Sequence, residues 1–516
     1  MFNRERSLND ILVLGLAAVL AVMFITTPGE ASAKGKGVVV IGSRVSIMNL
    51  DPSSTTNIQY IMMYKGLYQG LLRYKFNSDE LKGDLAESWS VSKDGLVYTF
   101  KLRDNINWHK GFGKVTAHDV KFSFDRIMDP KTHSPNKGDL QMVKEVKVVD
   151  DLTVEIHLKD RNLTFLHRCV RPRAVSIVSR KAVEKYGKDF GRNPIGSGPF
   201  VFESMSREAV VVTANKEYYE GPPKIEKVIH KTIPDMDTAI MSLIKGELDL
   251  IVSFPQSNQT FFDRIKAAGC RIKMINYGHL ALFAMNPRIA PLGDLRVRRA
   301  IAHTINRDEI INYAFIPGGL DKADSHVPKG SFGHTEGLPQ YDFNPQKAKE
   351  LLAEAGYPDG FEVTLDTFSF FKPISIIIQS QLAKVGIKAK LDVTSAPAWL
   401  KKISRGDASL SVFQPQRIWD ADAFLTSFFH GGSSSPGLNL ARYNKLDRAI
   451  EEARAEMDET KRLKMYREIQ KTLMEDLPMI PLYNARSAVA YRPNVAGLPD
   501  RDPMMGLSFY ELSFKE

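Results

Sequence analysis

The sequence predicts an α/β protein with more than one core. Three observations carry that expectation. Strand-like segments alternate with amphipathic helical ones along most of the chain, which argues for layers of helix on sheet. The chain has 516 residues, too many for a single ordinary core. Only Cys169 and Cys270 are available, so the fold depends on buried apolar area and not on a disulfide framework.

Composition sets the class. A hydrophobic content of 43% and a charged content of 25% belong to a globular chain, not a disordered one. The start reads as a secretory signal: Arg4 and Arg6 precede the apolar run ILVLGLAAVLAVMFI (11–25), and ASA at 31–33 offers a cleavage site after Ala33. That run is short for a bilayer span, and no cysteine follows the cut to take a lipid. The expectation is a soluble periplasmic chain of 483 residues, in a compartment where Cys169 and Cys270 could form one bridge; the sequence leaves their pairing open. The formal charge is +10; Arg4 and Arg6 against Glu5, Asp10 and Glu30 leave +11 on the mature chain. Its bases are interleaved with acids, with no basic run or aromatic–basic repeat. The charge reads as a modest pull on anions and not as a nucleic-acid footprint.

The elements follow in order. GVVVIG (37–42) reads as a buried strand, followed by the polar loop DPSSTTN (51–57), the helical IQYIMMYKGLYQGL and the strand VYTFKLR. VTAHDVKFSFDRIM opens with a capping box, Thr116 to Asp119, and puts Val120, Phe124 and Ile127 on one face. KEVKVVD and LTVEIHL are strands meeting near Asp150–Asp151, and REAVVVTAN and KIEKVIHKTI are strands after GSGPF. DTAIMSLIKGELDLIV is a helix stopped by Gly246 and then a strand. LGDLRVRRAI starts a helix with Leu295, Val297, Ala300 and Ile301 toward a core and Arg296, Arg298 and Arg299 wet. NPQKAKELLAEAGYP has Asn344 as N-cap, Pro345 in the first turn and Gly356 past the end. Strand FEVTLD, a helix through IIIQSQLAKVG, strand IKAKLDV, a short helix and strand SLSVF follow. Helices then fill 445–476, with Leu463, Tyr466, Ile469 and Leu473 at helical spacing.

Enzyme signatures are missing. The chain has no G-x-S-x-G elbow, H-E-x-x-H helix, P-loop or G-x-G-x-x-G. The eleven histidines are scattered, so His109, His279 and His430 read singly as structural or surface residues, and neither a metal nor another cofactor is expected. In QRIWDADAFL (416–425), Asp420 and Asp422 could be a glycosidase pair of an exported hydrolase. Alternate residues on a strand point to opposite faces, which argues against that.

Seven segments, in order, resemble the solute-binding proteins of ABC importers, in the oligopeptide/dipeptide/nickel family. They are LDPSSTTN; LAESWSVSKDGLVYTFKLRDNINWHKG with TAHDVKFSFDRI; NPIGSGPFVF; NKEYYEGPPKIEKVIHKTIPD; ALFAMNPRIAPLGDLRVRRAIAHTINRDEII; AKELLAEAGYPDGF; and LDRAIEEARAEMDETKRLKMYREIQKTLMEDLPMIPLYN. In NPIGSGPF, Gly196 and Gly198 read as relieving backbone strain at a bend. The resemblance covers nearly the whole mature chain. It implies a periplasmic-binding-protein fold, with two α/β lobes around a cleft and an extra subdomain in the first lobe. The first lobe would be 34–78, 196–282 and 498–516, the subdomain 79–195 and the second lobe 283–497. It also implies no covalent chemistry, a monomer that closes on a small-molecule or peptide-like solute, and a cognate ABC permease in the inner membrane.

The site follows from the same resemblance. Ser54, Thr55 and Asn57 would line one cleft wall, Tyr277 and His279 would lie near the hinge, and the DTFSFF loop (Phe368, Phe370) and QRIWD the other wall. Peptide-binding members carry an aspartate that pairs with the peptide's free amine. Aligned without gaps on Phe424–Leu425, that aspartate falls on Arg417, Asp420 takes the next acid and Ala421 replaces a proline. A shifted match would instead make Asp422 the amine partner, with the downstream spacing three residues short. With Arg417 in the cleft, a carboxylate, a phosphate or a polar conjugate suits the site better than a free amine. The alternatives are an ordinary oligopeptide binder, Arg417 solvated at the rim or neutralised by Asp420, and Trp419 as packing or as a stacking platform.

Overall fold

The computed structural model describes residues 37–515, apart from 56, 255–257, 315–317, 415–419, 435–437 and 503–505. The expected signal segment, Arg417 and Trp419 therefore lie outside the described residues. Among the described residues no helix is long and apolar enough to cross a membrane.

An eleven-stranded sheet runs through the molecule. Its order is Lys388–Thr394, Glu362–Phe368, Leu410–Phe413, Arg271–Met285, Met479–Tyr491, Leu250–Phe254, Val38–Ser43, Lys227–Thr232, Ala209–Ala214 and Phe200–Met205, with Leu320–Lys322 pairing onto Met479–Tyr491 off that path. Two long antiparallel strands, Arg271–Met285 and Met479–Tyr491, sit in its middle. Their outer halves differ in neighbours: Leu250–Phe254 pairs with residues 488–491, whereas Leu410–Phe413 pairs with 282–285. The register slips between Asn276 and His279, where Gly278 takes φ +68, a backbone that favours glycine. This kinked pair joins the two α/β lobes.

Alternation along the second half of the long strand fills two cores. Ala281, Phe283 and Met285 pack on one face with Leu365, Ile378 and Leu410, while Leu280, Leu282 and Ala284 pack on the other with Phe424, Tyr466 and Leu473. Both faces are covered, which is why ALFAM reads as a continuous apolar run. In the first lobe a separate four-stranded sheet has the order Ala86–Val91, Val97–Leu102, Thr153–Leu158 and Val143–Asp150. The helix Ala117–Met128 packs with it through Val120, Phe124 and Ile127, all buried, and its Thr116–Asp119 capping box is formed.

Several expectations need correction. The helix expected over 58–71 is α-helical only for Ile61–Leu67, preceded by one 3-10 turn, because the backbone becomes extended at Tyr68. Leu463 is exposed and Leu295 only half-buried. Arg298 is not wet: it donates to the carbonyls of Leu292, Gly293, Asp476 and Leu477, tying its helix to a distant helix end. Gly196 and Gly198 are needed for close approach and not for backbone strain, since a Cβ there would stand 1.7 Å from the Leu67 carbonyl oxygen and 2.6 Å from that of Gly66. Cys169 and Cys270 are separate buried thiols.

Candidate functional site

The 51–57 loop is built from short polar residues that bond to their own backbone. Ser54 Oγ donates to the Asp51 carbonyl, Thr55 Oγ1 accepts from Asn57 N–H, and Asn57 Oδ1 accepts from Gln59 N–H. Such local bonds hold a turn without secondary structure. The loop is fixed from beneath by the 117–140 region. Arg126 forms a two-pronged pair with Asp51, Asn136 Nδ2 donates to the carbonyls of Pro52 and Thr55, and Ser134 Oγ donates to that of Ser53. Burial pushes the Asp51 carboxyl up, but the Arg126 guanidinium and the bonds from Ser53 outweigh it and hold Asp51 below the usual range. Ser54 is exposed, and Thr55 and Asn57 are half-buried.

Tyr277 and His279 flank Gly278 at the kink, with ring centroids 6.2 Å apart. Both are buried. Among the described residues His279 Nε2 has no hydrogen-bond partner. Burial alone takes the His279 pKa down to about 4, and burial, reinforced by Asp502, raises that of Tyr277. A neutral imidazole with a waiting nitrogen at the joint between the lobes costs stability unless something pairs with it.

On the second lobe Phe368 and Phe370 stack at a centroid distance of 6.4 Å but differ in exposure. Phe368 is half-buried against Trp399 and Phe371, at centroid distances of 4.9 and 5.2 Å, and belongs to the packed interior; Phe370 is 65% exposed.

Asp420 and Asp422 are not on a strand: Asp420 is the N-cap of helix Ala421–Phe429 and Asp422 lies in its first turn. Both are buried. Asp420 accepts from Ala423 N–H at 2.9 Å, as a cap should. Asp422 accepts from Arg454 Nε at 2.9 Å and from Thr426 Oγ1 at 3.2 Å. Burial pushes the Asp422 carboxyl up against the pull of Arg454, and Asp420 adds to the rise. Sequence spacing could not reveal Arg454, which lies 32 positions on.

Opposite this helix the first lobe brings residues that sequence reasoning missed. Tyr74 Oη bonds His167 Nδ1 at 2.9 Å, and the His167 ring stacks on Phe332 of the second lobe at 6.4 Å and 27°. The Arg462 guanidinium lies over the other part of that stack, 4.9 Å from the Phe332 centroid. Phe332 is anchored beside the acidic helix by its carbonyl, which accepts from Ala421 N–H at 2.8 Å. Farther along, a Cβ on Gly95 would stand 3.4 Å from Met457 Sδ. Residues 74–167 therefore meet Phe332, Met457 and Arg462 along a seam away from the kinked strands.

A cavity of about 120 Å³ lies wholly in the first lobe, with Tyr68, Gln69, Arg73, Tyr74, Tyr218 and Tyr510 among its walls. It includes none of the expected site residues. Its charges are spent locally, Arg73 on Glu220 and Lys65 on Asp502. Among the described residues no group of three or more His, Cys, Asp or Glu is placed to hold a metal.

Two lobes joined by kinked strands, with buried polar groups at the joint and a separate contact seam, define a two-lobed binding protein. Residues 80–436 match bacterial extracellular solute-binding proteins, family 5 Middle. The chain belongs to that family. It is similar to the glutathione-binding protein GsiB of Salmonella paratyphi A, at 29% identity over 97% of this chain and 98% of that protein. HbpA2 from Haemophilus parasuis superposes with a TM-score of 0.85 at 30% identity, over 93% of this chain and 100% of that one. MoaA in complex with mannopinic acid, from A.tumefacien R10, does so with a TM-score of 0.76 at 30% identity, over 93% and 100%. Proteins of this family are binding proteins that deliver ligands to ABC permeases, and this chain is not an enzyme.

Proposed function

We propose that this protein captures a small acidic or polar-conjugate solute by lobe closure, and that a simple free-amine peptide is not its preferred ligand. One observation carries the reading. Both carboxylates at the start of helix Ala421–Phe429 already have protein partners, since Asp420 caps the helix through one oxygen and Asp422 pairs with Arg454, which makes them poor sites for a ligand ammonium. That weighs against the shifted match with Asp422 as amine partner. The ungapped match keeps Arg417, outside the described residues, where peptide binders carry their anchoring aspartate. Two relatives point the same way: glutathione, in the name of one, bears two carboxylates against one ammonium, and the ligand of the other is an acid.

In this reading Ser54, Thr55 and Asn57 face the solute from the first lobe, Tyr277 and His279 at the joint, and Arg417, Trp419 and the Phe368–Phe370 loop from the second. His279 Nε2 supplies a hydrogen bond that burial strengthens. The solute shifts the open–closed equilibrium by its extra contacts with the second lobe, and the closed form hands it to an inner-membrane permease. Export to the periplasm with cleavage after Ala33, a monomeric state, and lobes divided as 34–78, 196–282 and 498–516 against 283–497, with 79–195 as a subdomain, belong to the same proposal.

Mass spectrometry of solute carried through native purification, followed by calorimetric titration with glutathione, mannopinic acid and dialanine, tests it. The acidic ligands should bind more tightly than dialanine. Arg417→Ala should cost an acidic solute about 2–5 kcal/mol of binding free energy where the pair is buried. Tight dialanine binding with its amine on Asp420 or Asp422 would sink the reading.

A further inference from the structure

We propose that Tyr74, His167, Phe332 and Arg462 form an interlobe latch that favours the closed form without touching solute. It rests on the lobe-closure reading above. The four groups make one continuous stack. Tyr74 and His167 come from the first lobe, with centroids 5.9 Å apart at 33° and a hydrogen bond between them. Phe332 and Arg462 come from the second, with the guanidinium carbon 4.9 Å from the ring centroid. The His167–Phe332 contact, 6.4 Å at 27°, is the one that crosses the seam. Offset aromatic stacking and cation–π contact are both favourable, more so when partly desolvated.

Each half is held ready by its own lobe. Tyr74 ends the strand Leu72–Tyr74, paired with Leu81–Gly83, and His167 sits in the helical turn Phe165–Arg168. Phe332 is pinned through its carbonyl to the N-terminus of the acidic helix, and Arg462 lies in the first turns of helix Glu459–Asp476. Opening the lobes separates only the His167–Phe332 faces. Among the described residues Arg462 Nε is buried without a hydrogen-bond partner, which leaves the Phe332 ring as a favourable contact for the guanidinium. Because the contact exists only in the closed form, it multiplies the closed-to-open ratio by a constant factor, whose full effect on affinity shows where the closed form is the minor state. Apparent affinity then scales by that factor for every solute alike.

The test places nitroxide labels at Lys93→Cys and Glu452→Cys, exposed positions on either side of the seam; Cys169 and Cys270 are buried. Interlabel distances are measured without added solute in the otherwise unaltered protein and in His167→Ala, Phe332→Ala and Phe332→Tyr. The unaltered protein and Phe332→Tyr should show a short-distance population. Each alanine variant should lower the closed-to-open ratio by roughly tenfold, with circular dichroism showing that the fold persists. Calorimetry should show glutathione and mannopinic acid weakened by the same factor. Alanine variants with unchanged distances, in a protein whose lobes still close on glutathione or on the solute carried through purification, would overturn the latch and leave the proposed function standing. A distance that no bound solute changes would overturn both.

Discussion

His279 at the joint, buried, and His167 at the seam, half-buried, are both imidazoles held below their ordinary pKa, yet their surroundings differ in kind. Around His279 burial is the sole cause, and one nitrogen lacks a partner. Around His167 burial is again the largest cause, but Asp420, Asp79 and Glu459 pull the pKa up while Arg462 pushes it down. Tyr74 and Phe332 fill the ring's remaining contacts. The seam has unpaired buried atoms of its own, Arg462 Nε and Tyr466 Oη, so the contrast lies in how each imidazole is met and not in whether every polar atom is paired. The joint leaves Nε2 of its imidazole unpaired among the described residues.

The largest effect expected is at the seam. Asp422→Ala strips Arg454 of its carboxylate in a buried setting and should lower unfolding free energy by about 3–5 kcal/mol in a urea titration. A loss below about 1 kcal/mol would mean that the seam helix is not held by this pair.

At the joint the same measurement should behave in the opposite way. His279→Leu replaces an unpaired buried polar atom with an apolar group, so stability should hold or rise. Binding of the solute that co-purifies should meanwhile weaken by about 1–2 kcal/mol, the worth of one hydrogen bond in calorimetry. If stability falls sharply while affinity stays put, His279 is a core residue and the contrast collapses.

Acid should sharpen the contrast further. His279 titrates at about 4 when folded against 6.5 ordinarily, so the unfolded chain binds its proton first. The stability from keeping it neutral is complete above pH 6.5 and is lost as pH falls toward 4, by at most about 1.4 kcal/mol per pH unit for one site. His109, His230 and His326 are held down to about 4 in the same way and add to the slope. Urea titrations at pH 7 and pH 5 should show His279→Leu flattening that slope by close to one proton. His167→Leu should flatten it less, since Asp420 opposes the shift there.

Ser54→Ala should do least. Its hydroxyl is exposed and bonds only the Asp51 carbonyl nearby, so unfolding free energy should move by no more than about 0.5 kcal/mol. A clear loss of solute affinity with unchanged stability would place Ser54 against the ligand.

Local chemistry explains what was legible in the chain. Thr116 with Asp119, Asn344 with Lys347, and Gly246 at φ +83 are contacts within a few residues, so caps and helix ends can be read from spacing alone. Period-two and period-3.6 apolar patterns likewise report burial, because each residue's direction follows from its backbone. Together with the ordered family segments these fixed the α/β class and the two-lobed family. Tertiary structure alone decided the rest. Asp422 meets Arg454, Asp51 meets Arg126, and His167 meets Phe332 across 32, 75 and 165 positions, with no short-range pattern to announce them. Asp420 and Asp422 read as alternate strand residues until the fold made them the start of a helix, one a cap and the other an arginine's partner. The physical reason is the same in each case: a charge or a ring settles on the partner that packing delivers, and packing is a property of the whole chain.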